Sequence, residues 1–503
     1  MYAPCLLDKY FVKRYNEYAK NRRNVIVLRD FFDAGGGHAH TTKTRCAMFH
    51  FKNSNGSINS IKTKNKKSKN SFRIIIIGFM AMILLGALLL MLPISSRGRC
   101  FTSFSDTLFT AVSATCVTGL VVRDTATYWS LFGQFVILIM IQIGGMGVIT
   151  IGLAVIRASG KKIGLWQRST MQESISAPQV GGIVRLTGFI LKTTAIIELI
   201  GASLLFPVFC AEFGFLKGLW YAVFHSISAF CNAGFDLMGV KSKFSSLCSY
   251  SGNIYINAII MLLIIIGGIG FITWRDVGTH KFRLGKYTLQ SKVALLTSLL
   301  LILLPAVYFF FWEYGDLSIR ERTVSSLFQS VTARTAGFNT QDLSLMDESG
   351  TSVMIILMLI GGSPGSTAGG LKTTTFAVLF LSAITVFGRR NDVQCFKRRI
   401  SDEAVRNAGA ILFMYLALFL TGGVMISRIE DLPLLTCLFE TGSAIGTVGL
   451  TLGITSSLSL ISRIILMILM FFGRVGGLTL IYAAIGPSEN NNSRLPLEKI
   501  TVG

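Results

Sequence analysis

Four stretches of this chain end alike. FTAVSATCVTGL (109–120), FHSISAFCNAGF (224–235), LFQSVTARTAGF (327–338) and FETGSAIGTVGL (439–450) align without gaps and share a glycine, at Gly119, Gly234, Gly337 and Gly449. The residue pairs before it, Val117-Thr118, Asn232-Ala233, Thr335-Ala336 and Thr447-Val448, have little side-chain chemistry in common. Chemistry that tolerates such variation is main-chain chemistry. A monovalent cation that sheds its water, such as potassium, needs neutral oxygen ligands around its path, and carbonyls from four strands can close such a ring. To aim those carbonyls inward the strands must leave helical geometry, and glycine accepts the φ > 0 that this requires. Pairs and glycines together are the expected selectivity filter. K+ would be held by the backbone carbonyls of Val117, Thr118, Asn232, Ala233, Thr335, Ala336, Thr447 and Val448.

Each stretch opens with an amphipathic segment too short to span and lies between longer apolar runs, as a re-entrant pore loop should. Non-helical backbone at membrane depth survives only where protein or a water-filled path satisfies its polar groups. The segment after each loop carries a second repeat: IGGMGVIT (143–150), IGGIGFIT (266–273), IGGSPGST (360–367) and FGRVGGLT (472–479). A single glycine pair in a membrane helix usually means close packing; four pairs tied to four loops favour a pore. In the third copy the helix is interrupted by GGSPGSTAGGLKTTT (361–375), where Pro364 removes a donor and glycines disfavour helix. A phosphate-binding loop fails there, because Leu371 separates Gly370 from Lys372 and no strand precedes; a flexible kink and a gate both remain. Arg474 stands where the other copies have Gly145, Gly268 and Gly362. Burying it about midway along the last helix costs roughly 2.5–3.5 kcal/mol or more. Snorkelling is one answer. The better one is that Arg474 lines the pore under the filter, donates to carbonyls of the interrupted segment and repels cations that linger.

The elements that carry these loops are membrane spans. The 503-residue chain is 51% hydrophobic with mean hydropathy +0.59, and only 15% of it is charged. Apolar runs at 74–92, 135–156, 254–274, 293–312, 353–360 with 376–387, 408–426 and 461–485, and a further stretch at 196–205, compare with the roughly 20 residues that cross a bilayer. The net charge of +23 gathers in alternate connections: the leading tail (Lys62 to Arg73), Arg157 to Arg185, Arg275 to Lys292 and Arg389 to Arg406. That alternation is the positive-inside pattern, placing both termini in the cytoplasm of a multi-pass cell-membrane protein and removing nucleic acid as the cause of the charge. The expected fold is all-α: eight spanning and four pore helices, as four tandem helix–pore-loop–helix repeats in pseudo-fourfold symmetry around one pore. The expected divisions are a basic, disordered tail (1–72), in which Met48 precedes a conventional basic lead-in; repeat 1 (73–157); repeat 2 (183–275); repeat 3 (289–390); repeat 4 (404–486); and a cytoplasmic tail (487–503).

Nine cysteines without a CxxC pair indicate neither a disulfide framework nor a metal knuckle, and no His/Asp/Glu or Cys/His constellation suggests an enzyme. His225 reads as a packed, hydrogen-bonded residue. Glu198 pairs with a neighbouring helix or serves a coupling ion; Glu440 sets the outer pore field or caps backbone; Lys372 answers a cytosolic partner or reaches the interface.

On these residues, above all TVGL (447–450), the region from Arg73 onward resembles the TrkH/KtrB/HKT superfamily of potassium transporters, and its short tail RLPLEKITVG (494–503) resembles the KtrB branch most. The resemblance implies downhill K+ entry, and Gly119, which sodium-selective plant relatives replace by Ser, implies preference for K+. It implies an occluding intramembrane gate loop at 361–375, with Gly361, Gly362, Pro364, Gly365, Gly369, Gly370, Lys372 and Arg474 as gate residues. It also implies sodium stimulation, a homodimer and a cytosolic ring of nucleotide-binding RCK subunits. This chain has no GxGxxG motif, so nucleotide sensing would belong to that partner; no cofactor is expected in the chain itself. A TrkH-type proton-coupled system or a sodium transporter is the alternative.

Overall fold

A helix must rise through about 30 Å of hydrocarbon, at 1.5 Å per residue, to cross a bilayer. Among the described residues of the computed structural model, four helices are long and apolar enough: Phe72–Met91, Ile183–Phe213, Leu289–Glu313 and Asp402–Glu430. Only 28–33% of their most apolar windows is buried within the protein. Large side chains such as Leu85, Leu199, Leu304 and Phe413 therefore point outward, a surface suited to lipid rather than water. The structure describes residues 65–148, 150, 152, 164–175, 181–484, 496, 498 and 500. Lys69–Gly503 packs as one compact unit; of the rest, only residues 65–68 are described, as a helical turn. Most of the expected leading tail, and nearly all of 487–503, lie outside the described residues.

The chain runs through α1 (Asn65–Met91), α2 (Phe104–Cys116), α3 (Leu131–Met146), α4 (Leu165–Ile175), α5 (Ile183–Phe213), α6 (Phe215–Phe230), α7 (Ile254–Gly268), α8 (Phe271–His280), α9 (Leu289–Tyr308), α10 (Ile319–Thr332), α11 (Glu348–Leu359), α12 (Thr373–Phe387), α13 (Asp402–Glu430), α14 (Leu434–Gly446), α15 (Leu460–Val475) and α16 (Gly477–Ala484). The short helices α2, α6, α10 and α14 each follow one of the long ones. Phe109, Phe224, Phe328 and Phe439 anchor them, all fully buried. Caps fix where helices begin: Ser103 Oγ accepts the Asp106 N–H, Ser130 Oγ the Gly133 N–H and Ser318 Oγ the Glu321 N–H, satisfying donors a helix start leaves free. Near the start of α2, Asp106 holds Arg123 Nε and Arg463 Nη1, both at 2.8 Å, and so joins α2 to α15.

One expectation fails. The runs 135–156, 254–274 and 461–485 are not continuous spans. Each breaks at a glycine with left-handed backbone: Gly147 (φ 88°), Gly270 (φ 94°) and Gly476 (φ 88°). At Gly270 the halves α7 and α8 meet at 97°. A right-handed helix cannot pass through that conformation. These glycines occupy the same place in IGGMG, IGGIG and FGRVG, so the interruption read only in the third copy is common to all four. Arg474 is accordingly not midway along a helix; it is the penultimate residue of α15.

Candidate functional site

Beyond α2, α6 and α14 the chain turns through a left-handed residue that is not glycine: Val117 (φ 58°), Asn232 (φ 57°) and Thr447 (φ 52°); Thr335 (φ 66°) does so after α10. Two residues on, Gly119 (φ 96°), Gly234 (φ 68°), Gly337 (φ 79°) and Gly449 (φ 94°) repeat the left-handed sign. Hydroxyls brace the turns. Ser113 Oγ accepts the Gly119 N–H at 3.1 Å and Ser443 Oγ the Gly449 N–H at 3.0 Å. Ser228 Oγ donates to the Phe235 carbonyl at 2.6 Å, and Thr332 Oγ1 donates to that of Phe338. In the third loop both anchor and brace, Phe328 and Thr332, sit one residue later than the gapless alignment puts their counterparts, so α10 reaches its loop by one residue less.

The four glycines touch in cyclic order. A Cβ on Gly119 would lie 2.5 Å from the Ala233 oxygen and 3.1 Å from Gly234 Cα; one on Gly234, 2.9 Å from the Ala336 oxygen and 2.9 Å from Gly337 Cα. One on Gly337 would meet the Val448 oxygen at 2.4 Å, and one on Gly449 the Thr118 oxygen at 2.1 Å. All eight side chains of the preceding pairs are at most 1% exposed. A cavity of about 150 Å³ is lined by the four glycines together with Asp124, Asp236, Thr451 and Thr455. A second cavity, about 230 Å³, is lined by Gly145, Gly365, Gly370, Lys372 and Arg474.

The segment between α11 and α12 lies folded across the broken helix ends. Gly361 donates to the Leu371 carbonyl at 2.7 Å, so the segment closes on itself. Ser363 N donates to the Gly268 carbonyl at 2.9 Å, Phe271 N to that of Gly365 at 2.7 Å, and Gly370 N to that of Gly473 at 3.2 Å. Thr367 Oγ1 donates to the Phe230 carbonyl at 3.1 Å. A Cβ on Gly369 would lie 2.1 Å from Thr447 Oγ1, so the segment rests directly on the fourth loop. Gly362 faces Ala368 within the segment, Pro364 is half-buried, and Lys372 Nζ donates to the Ala368 carbonyl at 2.8 Å. Arg474 forks: Nη1 donates to the Thr367 carbonyl, Nη2 to those of Gly144 and, at 2.8 Å, Gly145.

The sequence names the filter pairs, their glycines, the gate residues and Arg474, but not the bracing hydroxyls, the cavity residues Asp124, Asp236, Thr451 and Thr455, or the carbonyl partners of Arg474. Nor does it signal that Val117, Asn232, Thr335 and Thr447 take left-handed backbone, which no residue type there requires. The helix-breaking glycines were hidden by apolar neighbours. Buried Arg334, whose Nη2 donates to Ser298 Oγ at 3.0 Å, sits inside an aligned stretch where its charge drew no notice. Glu198 does meet a neighbouring helix, but its partner is the Gln142 amide at 3.1 Å. His225 is packed and hydrogen-bonded, with Nδ1 2.8 Å from the Tyr221 oxygen. Glu440 accepts from the hydroxyls of Thr451 and Thr455.

Residues 38–494 match the TrkH family, described as cation transport protein, and the match reaches into the basic tail. The chain is 38% identical over 454 residues to the potassium/sodium uptake protein NtpJ of Enterococcus hirae, covering 88% of this chain and 99% of that one. It is 38% identical over 437 residues to the Ktr system potassium uptake protein B of Bacillus subtilis, covering 86% and 96%. The crystal structure of the potassium transporter TrkH from Vibrio parahaemolyticus superposes with a TM-score of 0.65 at 18% identity, over 84% of this chain and 86% of that one.

Proposed function

This chain belongs to the TrkH family of cation transport proteins, close to its KtrB members, and from that premise we propose that it is the pore-forming subunit of a potassium uptake system. The four repeats stand in pseudo-fourfold array around one path, and K+ passes between the carbonyls of the four loops. The observation that carries this reading is the closed cycle of glycine contacts, Gly119 to Gly234 to Gly337 to Gly449 and back. The four buried pairs have no side-chain chemistry in common, which favours main-chain oxygens as the common ligand, the chemistry a dehydrated K+ needs. The names of the relatives, potassium uptake proteins, supply the ion.

The cavity beside the glycines is the outer mouth and the other the inner vestibule, with the segment 361–375 as the gate between filter and cytosol. The positive-inside pattern sets that orientation, both termini being cytoplasmic. Entry is downhill, drawn by an inside-negative potential of about 2.3 kcal/mol per charge per 100 mV. Arg474 holds the gate loop to repeat 1. Sodium stimulation is supported by the potassium/sodium designation of NtpJ. The Ktr system designation of a relative supports a separate regulatory component; the homodimer and the cytosolic nucleotide-binding ring are what the family resemblance implies, with the ring acting on the gate.

The test is K+-limited growth of an uptake-deficient bacterial host, with K+ and Na+ fluxes in liposomes. The wild type should restore growth, and Gly337→Ser should lose K+ preference while reaching the membrane in normal amount. Growth and ion preference that ignore Gly337→Ser would remove the filter reading; a wild type that moves no K+ would remove the function.

A further inference from the structure

After its buried phenylalanine each short helix carries a polar side chain no more than 1% exposed: Thr110, His225, Gln329 and Glu440. Gln329 enters this register through the one-residue shift of α10. Two of the four stay clear of the loop. Thr110 donates to the Asp106 carbonyl of its own helix at 2.8 Å, and Gln329 Nε2 points at Met354 Sδ, 3.3 Å away.

The other two reach past the glycine to the strand leaving the loop. His225 Nδ1 faces the Tyr221 carbonyl and must carry the proton there, leaving Nε2 to accept the Leu237 N–H at 3.3 Å. Glu440 accepts from Thr451 Oγ1 and, at 2.9 Å, from Thr455 Oγ1, and those hydroxyls are themselves 2.9 Å apart. Thr451 and Thr455 both line the cavity that touches the glycines. Loops 2 and 4 are not neighbours in the cycle of glycine contacts, so the two braces act on opposite sides of the ring.

We propose that His225 and Glu440 are positioning residues for ion selectivity, each fixing the outgoing strand of its loop and with it the spacing of the carbonyls across one diagonal. This rests on the K+ reading above. Loops 1 and 4 have a serine on the glycine N–H, and loops 2 and 3 a hydroxyl on the following carbonyl. The brace from the residue after the phenylalanine is additional to these and, among the described residues, belongs to loops 2 and 4; in loops 1 and 3 the helix meets the outgoing strand from nearer its own start, through Asp106 to Arg123 and Ser325 to Gln341.

The experiment compares K+/Na+ flux ratios in liposomes for the wild type, His225→Phe, Glu440→Leu and Glu440→Gln. Thr110→Val and Gln329→Leu remove polar groups at the same register without touching an outgoing strand. His225→Phe and Glu440→Leu should each lower the ratio roughly tenfold, the size of one lost buried hydrogen bond. Glu440→Gln keeps an acceptor and should stay near wild type, as should the two comparison variants. Wild-type ratios in both brace variants would overturn the proposal. So would an equal fall in all four apolar variants, which would mean loosened packing alone. If a brace variant is not monodisperse, Thr455→Val removes the donor and leaves Glu440 in place; a wild-type ratio there would also count against the brace. A wild type that moves no K+ at all would defeat the functional reading first, and this inference with it.

Discussion

Replacing Gly119 by Ser tests the filter reading most sharply. At φ 96° a residue with a Cβ is strained by about 1–2 kcal/mol. Its Cβ would also stand 2.5 Å from the Ala233 oxygen and 3.1 Å from Gly234 Cα. Opening the first contact only to 3.0 Å, below which real Cβ atoms essentially never pack, moves that carbonyl by about 0.5 Å (3.0 less 2.5). Ala233 is a proposed ligand of K+, so its displacement should weaken the ring's preference for the larger ion. Gly453 separates strain from contact. Its φ is 93°, nearly that of Gly119, yet nothing lies within 4 Å of its Cβ position. Gly453→Ser should therefore share the conformational cost and leave selectivity alone. In liposome flux assays Gly119→Ser should lower the K+/Na+ ratio at least about tenfold, some 1.4 kcal/mol, and Gly453→Ser should stay within about twofold. Equal ratios in the two variants, both well folded, would refute the reasoning.

Arg474→Ala removes donors to three carbonyls on two repeats and should raise K+ flux several-fold by loosening the gate loop, measured as 86Rb+ uptake; unchanged flux at normal expression would sink the gate role. Gly369→Ala drives a methyl into Thr447 Oγ1 and should depress flux. Adding Thr447→Gly, which clears the hydroxyl and suits φ 52°, should recover part of it, with a coupling of about 1 kcal/mol or more; strict additivity would show that loop and gate do not touch. Asp106→Asn strips the carboxylate from Arg463 and Arg123. Because Arg123 is half-exposed, the loss should be about 2 kcal/mol rather than the 3–5 of a buried pair, seen as a lower detergent melting temperature; an unchanged melting temperature would show that the contact contributes nothing.

Much of this was legible in residue order. Gly119, Gly234, Gly337 and Gly449 were found because a left-handed turn against a neighbouring backbone admits almost nothing else, and that requirement leaves a fixed letter in four places. Arg474 was found because a guanidinium amid apolar residues demands partners, and carbonyls of the interrupted segment are among them. Its remaining partners, Gly144 and Gly145, were not legible, since a carbonyl has no residue signature. Val117, Asn232 and Thr447 take positive φ because the hydrogen-bonded turn around them dictates it, which no side chain advertises. The breaks at Gly147, Gly270 and Gly476 were missed for another reason: hydropathy averages across a kink. The shift in α10 could have been seen from Phe328, displaced by one from Phe109, Phe224 and Phe439.

The fork of Arg474 has a consequence for how such a path could open. Helix ends present carbonyls with partial negative charge, and the end of α3 supplies two of them, Gly144 and Gly145, to one guanidinium that also takes the Thr367 oxygen. Three oxygens gathered on a cation are what a travelling ion would otherwise claim. On the proposed reading the side chain is a tethered stand-in for the ion, and any movement that withdraws it would strand those oxygens until a free cation takes its place.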